Sequence, residues 1–325
     1  MKDQAFSLSF IFKKTNDLSA GEINQLLFLH NDTMDKKRNI EEFKQKYLYN
    51  FLGFSFHGLM INNNKIVGCY TVIPQKFTFF SKKMIFGQWC ENLIDKKFRG
   101  SFTNFKKLGN IVNSKLIDYD ICFVYGLPNR SLYVVSKRLL KMKDIGKLNY
   151  YVYPNNLNKF LVKYYPFNII ICFLLKILSK IRKRNYKIIN YNIFKEYNKK
   201  FHFSRYGSSD FYKVLDINDI KIIYKIERNQ NHNNAKIIWI MDVLPLSSIN
   251  IENSVNKLKN IYTDIDLIVY VGVLKTIPIN LFKVPDKFFK EQSIFSGKIL
   301  DSQKIGDIIF DLSNWNVNSS NFDHK

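Results

Sequence analysis

The chain has 325 residues, of which 46% are hydrophobic, and its formal net charge at pH 7 is +23. This length and composition allow a large buried core, so a disordered protein is excluded and two domains, or one domain with a doubled core, are expected. The charge suits phosphates, nucleotides or an anionic membrane surface. Because Lys, Asn, Ile, Phe and Tyr are all abundant together, part of the charge reflects the composition of an A+T-rich genome, and nucleic-acid binding is not predicted.

The cysteines and the N-terminus indicate the redox state and the cellular location to expect for the protein. Cys69, Cys90, Cys122 and Cys172 are widely spaced and mostly lie in apolar segments. This predicts buried reduced thiols, with neither disulfides nor a metal site. The apolar run within the first 13 residues is short and interrupted by serines, so no signal peptide is predicted and a cytoplasmic location is expected.

The first 85 residues predict a strand, two helices and antiparallel strands. Residues 9–13 are strand-like, and Ser19 and Glu22 have the spacing of a capping box that begins a helix. A second helix is predicted over 40–49. The apolar runs 54–61 and 65–72, separated by three asparagines, predict a hairpin, and 77–85 continues into the next strand.

The central stretch, residues 84–140, alternates strands and helices around two turns. An extended segment ending at Ile94 is followed by the basic turn Asp95–Asn104 and by a helix with apolar residues at helical spacing. Free backbone N–H groups and the positive end of the helix dipole make such a turn a candidate phosphate site. A buried strand over 119–125 then precedes the break Gly126-Leu127-Pro128-Asn129 and another helix.

The second half begins after a strand over 147–154 and supplies a basic, apolar segment and a further mixed α/β unit. Residues 167–184 form the most apolar segment and end in Lys and Arg residues. The segment is too short to span a bilayer. It is interpreted either as a core helix with a solvated basic end, which is the preferred interpretation, or as a helix lying on an anionic membrane. Strands are predicted over 220–226, 235–243, 266–274, 294–300 and 306–312, with a helix over 252–262.

These elements resemble the GCN5-related N-acetyltransferase (GNAT) superfamily, in which an Arg-Gly turn after the fourth strand binds the coenzyme A pyrophosphate. The residues that carry the resemblance are Glu91-Asn92, Phe98-Arg99-Gly100 and Gly126-Leu127-Pro128-Asn129. They are similar to motifs of longer, two-domain bacterial members associated with surface polysaccharides. The chain lacks the second turn glycine of the family and has Ser136 where a tyrosine is often found.

The resemblance implies the fold and the domain division. The expected fold class is α/β with mixed sheets, a GNAT fold with a second, degenerate GNAT-like half. The expected division is an N-terminal GNAT domain over 1–154, a linker with a basic amphipathic helix over 155–205, and a second domain over 206–325 that shapes the acceptor pocket.

The resemblance also implies a site for acetyl-CoA or another acyl-CoA between two parted strands. An amide near Leu93 or Ile94 would hold the thioester oxygen, and Asn129 would bond the pantetheine arm. The predicted cofactor-binding residues are Leu93, Ile94, Arg99, Gly100, Ser101, Phe102, Thr103, Asn104 and Asn129.

Acyl transfer to an amine needs a base for the nucleophile and a proton for the leaving thiolate. Glu91 is the predicted base, acting through water, and Tyr133 is preferred to Ser136 as the acid. His30 and His57 are alternative bases, although a lone histidine is more often structural. Trp89, Asn92 and Trp315 are predicted to contact the acceptor, with a core role for Trp315 as the alternative.

The predicted function is acyl-CoA-dependent N-acetylation of an amino sugar, on a nucleotide or lipid-linked carrier, for surface polysaccharide synthesis. Peripheral contact with an anionic membrane is also considered. One alternative is a Fem-like aminoacyl transferase, which a long helical arm would favour. The other is a non-catalytic binding module with a decayed CoA site.

Overall fold

The structure is a computed structural model that describes residues 8–34, 37–160, 165–182, 186, 191–207, 211–286 and 294–322. It contains two mixed β-sheets, of nine and six strands. Seven α-helices, α1 to α7, are described, with bounds Ala20–Thr33, Ile40–Leu48, Phe102–Leu116, Arg130–Val135, Tyr165–Ile181, Lys199–Tyr206 and Ser248–Ile261.

The first sheet comes largely from the first half of the chain. Its main path has the order β1-β2-β3-β4-β5-β14-β6, with bounds Leu8–Lys14, Phe56–Asn62, Lys65–Phe79, Lys82–Ile94, Ile121–Gly126, Ile294–Ile299 and Lys143–Lys147. Two short strands extend it, β8 (Ile193–Lys195) beside β3 and β15 (Trp315–Asn316) beside β8. Helices α1 and α2 pack on one face of this sheet, and α3 and α4 pack on the other.

Local sequence signals explain the first elements. The Ser19 hydroxyl accepts a hydrogen bond from the Glu22 amide and the Glu22 carboxylate accepts one from the Ser19 amide, so the predicted capping box begins α1. The β2–β3 hairpin turns at Asn63 and Asn64, whose φ angles are +48° and +61°. Asparagine tolerates this left-handed region better than most residues, which confirms the predicted hairpin.

The second sheet repeats the pattern of the first. Its order is β13-β7-β12-β11-β10-β9, with bounds Phe282–Lys283, Asn149–Pro154, Leu267–Gly272, Ala235–Leu244, Ile220–Asn229 and Lys213–Ile217. In both sheets an antiparallel pair (β3–β4 or β10–β11) leads through a helix (α3 or α7) to a strand parallel to the second member of that pair. The chain therefore contains two halves of like topology.

The two halves exchange strands, so the structure differs from the predicted domain boundaries. Strand β7, predicted to close the first domain, pairs with β12 of the second sheet. Strand β14 comes from the second half and lies between β5 and β6 of the first sheet. The predicted boundary after residue 205 falls inside α6. Neither sheet is complete without residues from the other half of the chain.

Trp315 lies in the core between the two sheets, which corrects its predicted contact with the acceptor. It is fully buried and its Nε1 donates a hydrogen bond to the Ile309 carbonyl at 2.7 Å. Five aromatic rings surround it, those of Phe77, Phe86, Phe123, Tyr125 and Phe295. A ring enclosed in this way has no face left for a substrate.

The strand predicted over 306–312 is wrong. Residues Asp307–Phe310 form a 3₁₀ turn beside β6 instead. The turn buries Ile309 in the core between the sheets, whereas Ile308 is half exposed. Because apolar residues in a short turn can reach the core without strand pairing, the composition of this segment alone was misleading.

The interpretation of the basic, apolar segment as a core helix is also wrong. The segment forms α5, and seven of its large apolar side chains are exposed to solvent. Within the described part of the chain, none of the helices combines the length and the apolar composition that crossing a membrane requires. Helix α5 therefore presents an apolar surface outside the core.

Candidate active site

Strands β4 and β5 run parallel and then lose their pairing in the middle of the first sheet. Their ladder begins at Ile85 and Ile121 and ends at Gln88 and Tyr125. Strand β4 continues to Ile94, paired only with β3, and a β-bulge places Cys90 as an extra residue in it. Bulges re-aim side chains and end pairing, so the edge of β4 beyond Gln88 is open to another hydrogen-bonding group.

The direction of the backbone amides distinguishes Ile94 from Leu93. The Asp95 amide donates to the Val67 carbonyl of β3 at 2.9 Å. Because amides alternate in direction along a strand, the Leu93 amide also points towards β3 and the Ile94 amide points to the opposite, unpaired edge. Of the two predicted donors, Ile94 thus has the orientation that a ligand between β4 and β5 requires.

The turn after β4 leads directly into the N-terminus of α3. Gly100 adopts a φ of +93°, a conformation that side chains disfavour. The Ser101 hydroxyl caps α3 by accepting from the Asn104 amide at 3.3 Å, while Phe102 and Thr103 are exposed and Asn104 is partly buried. The amides of Phe102 and Thr103 have no intrahelical acceptor, and they lie at the positive end of a 15-residue helix.

Arg99 is fixed beside this helix end. Its Nε donates to the Ile94 carbonyl at 2.7 Å, which links the guanidinium to the end of β4. Arg99 remains exposed, with Lys96 and Lys97 in the same turn. The structure thus gathers basic side chains and helix amides at one end of the unpaired β4 edge.

Four side chains on the α3 face of this region carry buried polar atoms that make no well-formed hydrogen bond among the described residues. They are the hydroxyl of Tyr70, Nε1 of Trp89, and both side-chain polar atoms of Asn92 and Asn113. Tyr70 joins them: its ring stacks on Trp89 at 5.5 Å, it lies opposite Asn92 in the β3–β4 ladder, and its hydroxyl adjoins Asn113. Unpaired buried polar groups are unfavourable, so this cluster favours a polar ligand.

A cavity of about 230 Å³ lies on the opposite face of β4. Helices α1 and α2, strands β3 and β4, and helix α6 of the second half contribute to its wall. The basic, acidic and histidine side chains in the lining are those of His30, Lys37, Arg38, Glu42, Lys46, Glu91 and Arg205. Because Glu91 lies opposite Thr71 and Asn92 lies opposite Tyr70, consecutive residues of β4 face the cavity and the polar cluster respectively.

Glu91 forms the charged centre of this cavity. Its Oε1 lies 2.7 Å from an Arg38 nitrogen and 2.9 Å from Lys46 Nζ. Burial raises the pKa of Glu91, but the charges of Lys46 and Arg38 outweigh burial and hold the pKa well below the usual range. Glu91 is therefore a carboxylate held by two cations, a weak proton acceptor, and its predicted role as the base lacks support from its surroundings.

His30 has the properties of a base in the same cavity. Burial, followed by the charge of Arg38, lowers its pKa from the usual 6.5, so the imidazole is neutral at pH 7. Its Nδ1 lies 3.2 Å from Asn31 Oδ1, an atom that accepts hydrogen bonds from the Arg38 amide. Nδ1 therefore carries the proton, and Nε2, 3.9 Å from Glu91 Oε1, has the free lone pair.

His57, the other histidine considered as a base, is structural. It is buried between Thr15 and Thr71, whose hydroxyls lie 2.9 and 3.2 Å from its ring nitrogens. Burial lowers its pKa to about 4. Both ring nitrogens are already engaged within the protein, so His57 has no nitrogen available to a substrate.

The residues predicted to supply the acid lie around α4. The Tyr133 hydroxyl donates to the Asp144 carboxylate at 2.9 Å and accepts from Lys137 at 3.0 Å. Ser136 is buried and donates to the Tyr133 carbonyl, and Asn129 caps α4 by accepting from the Leu132 amide. These contacts explain why each residue occupies its position, and the catalytic and pantetheine roles stay predictions.

Trp89 and Asn92 lie in the polar cluster on the α3 face, away from the cavity. The structure therefore does not support their predicted contact with an acceptor in the cavity, because Trp89 and Asn92 lie on the face of β4 that carries α3 and the basic turn. The corresponding place in the second sheet is filled by the chain itself, since Asn318 bridges to Gly272 and donates to the buried Asp242 at 2.9 Å. A polar cluster beside an unpaired strand edge is thus a feature of the first half.

Sequence reasoning missed Arg38, Lys46 and Asn113. Arg38 and Lys46 are two of many basic residues, and only the packing of α2 against β4 distinguishes them. Asn113 had a signal, because it shares the helical face of Phe105, Leu108, Val112 and Leu116. A polar residue on an apolar face often has a specific polar partner.

Comparison with known proteins supports the fold. Neither protein-family models nor curated proteins match the sequence. Among solved structures, a GCN5-related N-acetyltransferase from Anabaena variabilis is 14% identical, with a TM-score of 0.57 over 90% of this chain and 73% of that chain. One from Kribbella flavida is 8% identical, with a TM-score of 0.59 over 91% and 72%.

A third similar structure is the N-myristoyltransferase of Saccharomyces cerevisiae with bound myristoyl-CoA. It is 10% identical, with a TM-score of 0.50 over 89% of this chain and 78% of that chain. All three matches cover about 90% of this chain and therefore extend across both halves. The predicted fold is confirmed: this chain has the fold of the GCN5-related N-acetyltransferases.

Proposed function

We propose that the protein is an acyl-CoA-dependent N-acyltransferase. The observation that carries the proposal is the end of the β4–β5 ladder at Gln88 and Tyr125, with a basic helix N-terminus beyond it and a charged cavity on the other face of β4. The similar structures are acyltransferases by name, and the yeast protein binds myristoyl-CoA. A thioester at the unpaired edge of β4 would lie between its phosphate anchor and the acceptor.

The residues present suit a coenzyme A molecule. Arg99 and the first amides of α3 would hold the pyrophosphate, because both are exposed and carry positive charge or potential. The two amide groups of the pantetheine arm would supply partners for Tyr70, Trp89, Asn92 and Asn113. The Ile94 amide would donate to the thioester carbonyl oxygen.

The reaction is direct transfer to an amine. The amine nitrogen attacks the thioester carbonyl carbon, the C–N bond forms, and the C–S bond then breaks to release the thiolate. The excess proton on nitrogen passes to His30 Nε2, and the Glu91 carboxylate stabilises the imidazolium that results. A proton donor, for which Tyr133 stays the predicted candidate, neutralises the thiolate.

We further propose an amino sugar on a phosphate-containing carrier, nucleotide- or lipid-linked, as the acceptor. The cavity wall contains Lys37, Arg38, Lys46 and Arg205 against Glu42 and Glu91, so its charge is net positive. A positive cavity attracts an acceptor that carries phosphate. This chemistry fits surface polysaccharide synthesis, and we place the reaction in the cytoplasm.

Acetyl-CoA is expected to stabilise the protein against heat. At a concentration of 100 times Kd, the free energy of unfolding should rise by about 2.7 kcal/mol. Arg99→Glu should abolish most of this rise, since it replaces the positive charge beside α3 with a negative one. Thermal melting with and without acetyl-CoA measures both.

Lys82→Glu is the matched control, because Lys82 is exposed and lies in the β3–β4 hairpin, far along β4 from the turn. It should keep the full response. An equal response in the Arg99 variant would remove the pyrophosphate assignment. No response in the unmodified protein would instead favour a binding module without a CoA site or an aminoacyl transferase.

A phosphorylated acceptor is expected to react faster than a neutral one. With acetyl-CoA as donor, the kcat/KM for a nucleotide-linked amino sugar should exceed that for the free amino sugar by tenfold or more, equivalent to about 1.4 kcal/mol. The release of the CoA thiol measures the rate. Equal kcat/KM values would contradict recognition of the phosphate but would leave acyl transfer intact.

A further inference from the structure

Helix α5 has its apolar face turned outward. Seven large apolar residues of this helix are 36–70% exposed: Ile170, Ile171, Phe173, Leu174, Ile177, Leu178 and Ile181. At 100° per residue they occupy an arc of about 160°. Cys172, which lies on the opposite side of the helix, is 7% exposed. An ordinary surface helix has the reverse arrangement.

The helix is held in this orientation by contacts with the second sheet. Cys172 lies close to Tyr153 of β7, and the pKa of Tyr153 is raised first by burial and then by the nearby Cys172. At the end of the helix, Arg182 donates to the Leu281 carbonyl at 3.0 Å and its guanidinium lies over the Phe282 ring. The outward apolar arc, which we call the α5 surface, is therefore a feature of the folded protein.

The charge around the α5 surface is positive. Between residues 163 and 187, a stretch that includes α5, the sequence contains seven lysine and arginine residues and no acidic residue. Lys180 and Arg182 are exposed at the C-terminal end of the helix. Basic residues that flank an apolar helix face are what a bilayer with anionic headgroups binds.

We propose that the α5 surface docks on an anionic membrane, with the helix parallel to the bilayer. A 17-residue helix is about 25 Å long, less than the ~30 Å hydrocarbon core. Its run of apolar residues is also interrupted by Lys176. It therefore lies on the membrane and does not span it. The apolar arc enters the headgroup boundary, and the basic residues contact the lipid phosphates.

Charge favours a membrane over a second copy of the chain as the partner. Two copies that paired through the α5 surface would bring two strongly basic segments together, which like-charge repulsion opposes. An anionic bilayer instead buries the apolar arc and at the same time pairs the basic residues with negatively charged headgroups. If the proposed acyl transfer is correct, membrane docking favours a lipid-linked acceptor over a nucleotide-linked one.

Vesicle flotation tests the proposal. The unmodified protein should float with vesicles of phosphatidylcholine and phosphatidylglycerol, and binding should weaken with added salt and with phosphatidylcholine alone. The double variant Leu174→Glu/Leu178→Glu, at two positions about half exposed, should bind at least tenfold more weakly. Because both side chains are on the outer arc, its melting temperature should change little.

The matched control is Ile249→Glu/Ile308→Glu, which adds the same charge at positions 48% and 53% exposed outside α5. It should retain vesicle binding. Equal losses in both double variants, or no flotation of the unmodified protein, would overturn the proposal. If the α5 variant instead converts a dimer to a monomer, the surface joins two copies and the proposal is wrong.

The outcome is independent of the proposed enzymatic activity. Flotation needs no acyl donor, and the α5 variant should keep the response of its melting temperature to acetyl-CoA. A failure of membrane docking therefore leaves the acyl-CoA site standing. A failure of the acetyl-CoA response leaves the membrane surface standing.

Discussion

Replacing His30 with alanine is expected to lower kcat/KM for acyl transfer by about 10²–10⁴-fold, the usual contribution of a general base. His30 is neutral at pH 7 because burial and then Arg38 lower its pKa below 6.5, and the base must be neutral to accept the amine proton. Activity of the unmodified enzyme should therefore persist as pH falls through 6.5. It should decline only at lower pH, where His30 becomes protonated.

Several measurements separate this role from a structural one. His30→Gln should remove the acidic limb of the pH–rate profile and should keep the acetyl-CoA response of the melting temperature, since His30 lies on the opposite face of β4 from α3. His232→Ala, at an exposed histidine of the second half, should change neither. If His30→Gln kept both rate and acidic limb, Glu91 or another group would have to be the base.

Replacing Trp315 with alanine is expected to lower the free energy of unfolding by about 3–5 kcal/mol. The indole is fully buried among five aromatic rings, so its removal leaves a cavity and an unpaired carbonyl at Ile309. Because Trp315 lies between the two sheets, both halves should unfold in one transition. Chemical denaturation followed by circular dichroism measures the change.

Two further variants show what the indole contributes. Trp315→Phe keeps most of the ring but loses the N–H donor, so a loss of about 1–3 kcal/mol is expected from the unpaired carbonyl. Ile308→Ala, next to Ile309 in the Asp307–Phe310 turn but at a side chain that is 53% exposed, should alter stability much less. A Trp315→Ala protein as stable as the unmodified one would restore the predicted role at the acceptor site.

Several parts of the fold were predictable because they depend on neighbours in sequence. The capping box of Ser19 and Glu22 and the asparagine turn of the β2–β3 hairpin are local hydrogen-bonding and φ preferences. Strand, basic turn and helix around Arg99 follow from periodicity and from the conformational freedom of Gly100. The structure places all of these as predicted.

The cavity depends on residues that are distant in sequence. Glu91 was identified as a carboxylate of interest, but its pKa is set by Arg38 and Lys46, which are 53 and 45 positions away. His30 and Glu91 come together only because α1 packs on β4. An ionisation state is a property of the folded surroundings, so the assignment of the base could not be made from residue types.

The sequence by itself determined the order of elements, the position of the basic turn and the GNAT-like pattern, because these require only local propensities and hydrophobic periodicity. The tertiary structure decided the exchange of β7 and β14, the burial of Trp315 and the outward orientation of α5. An apolar segment is equally compatible with a core and with a membrane surface. Only the packing of the rest of the chain determines which of its sides is left uncovered.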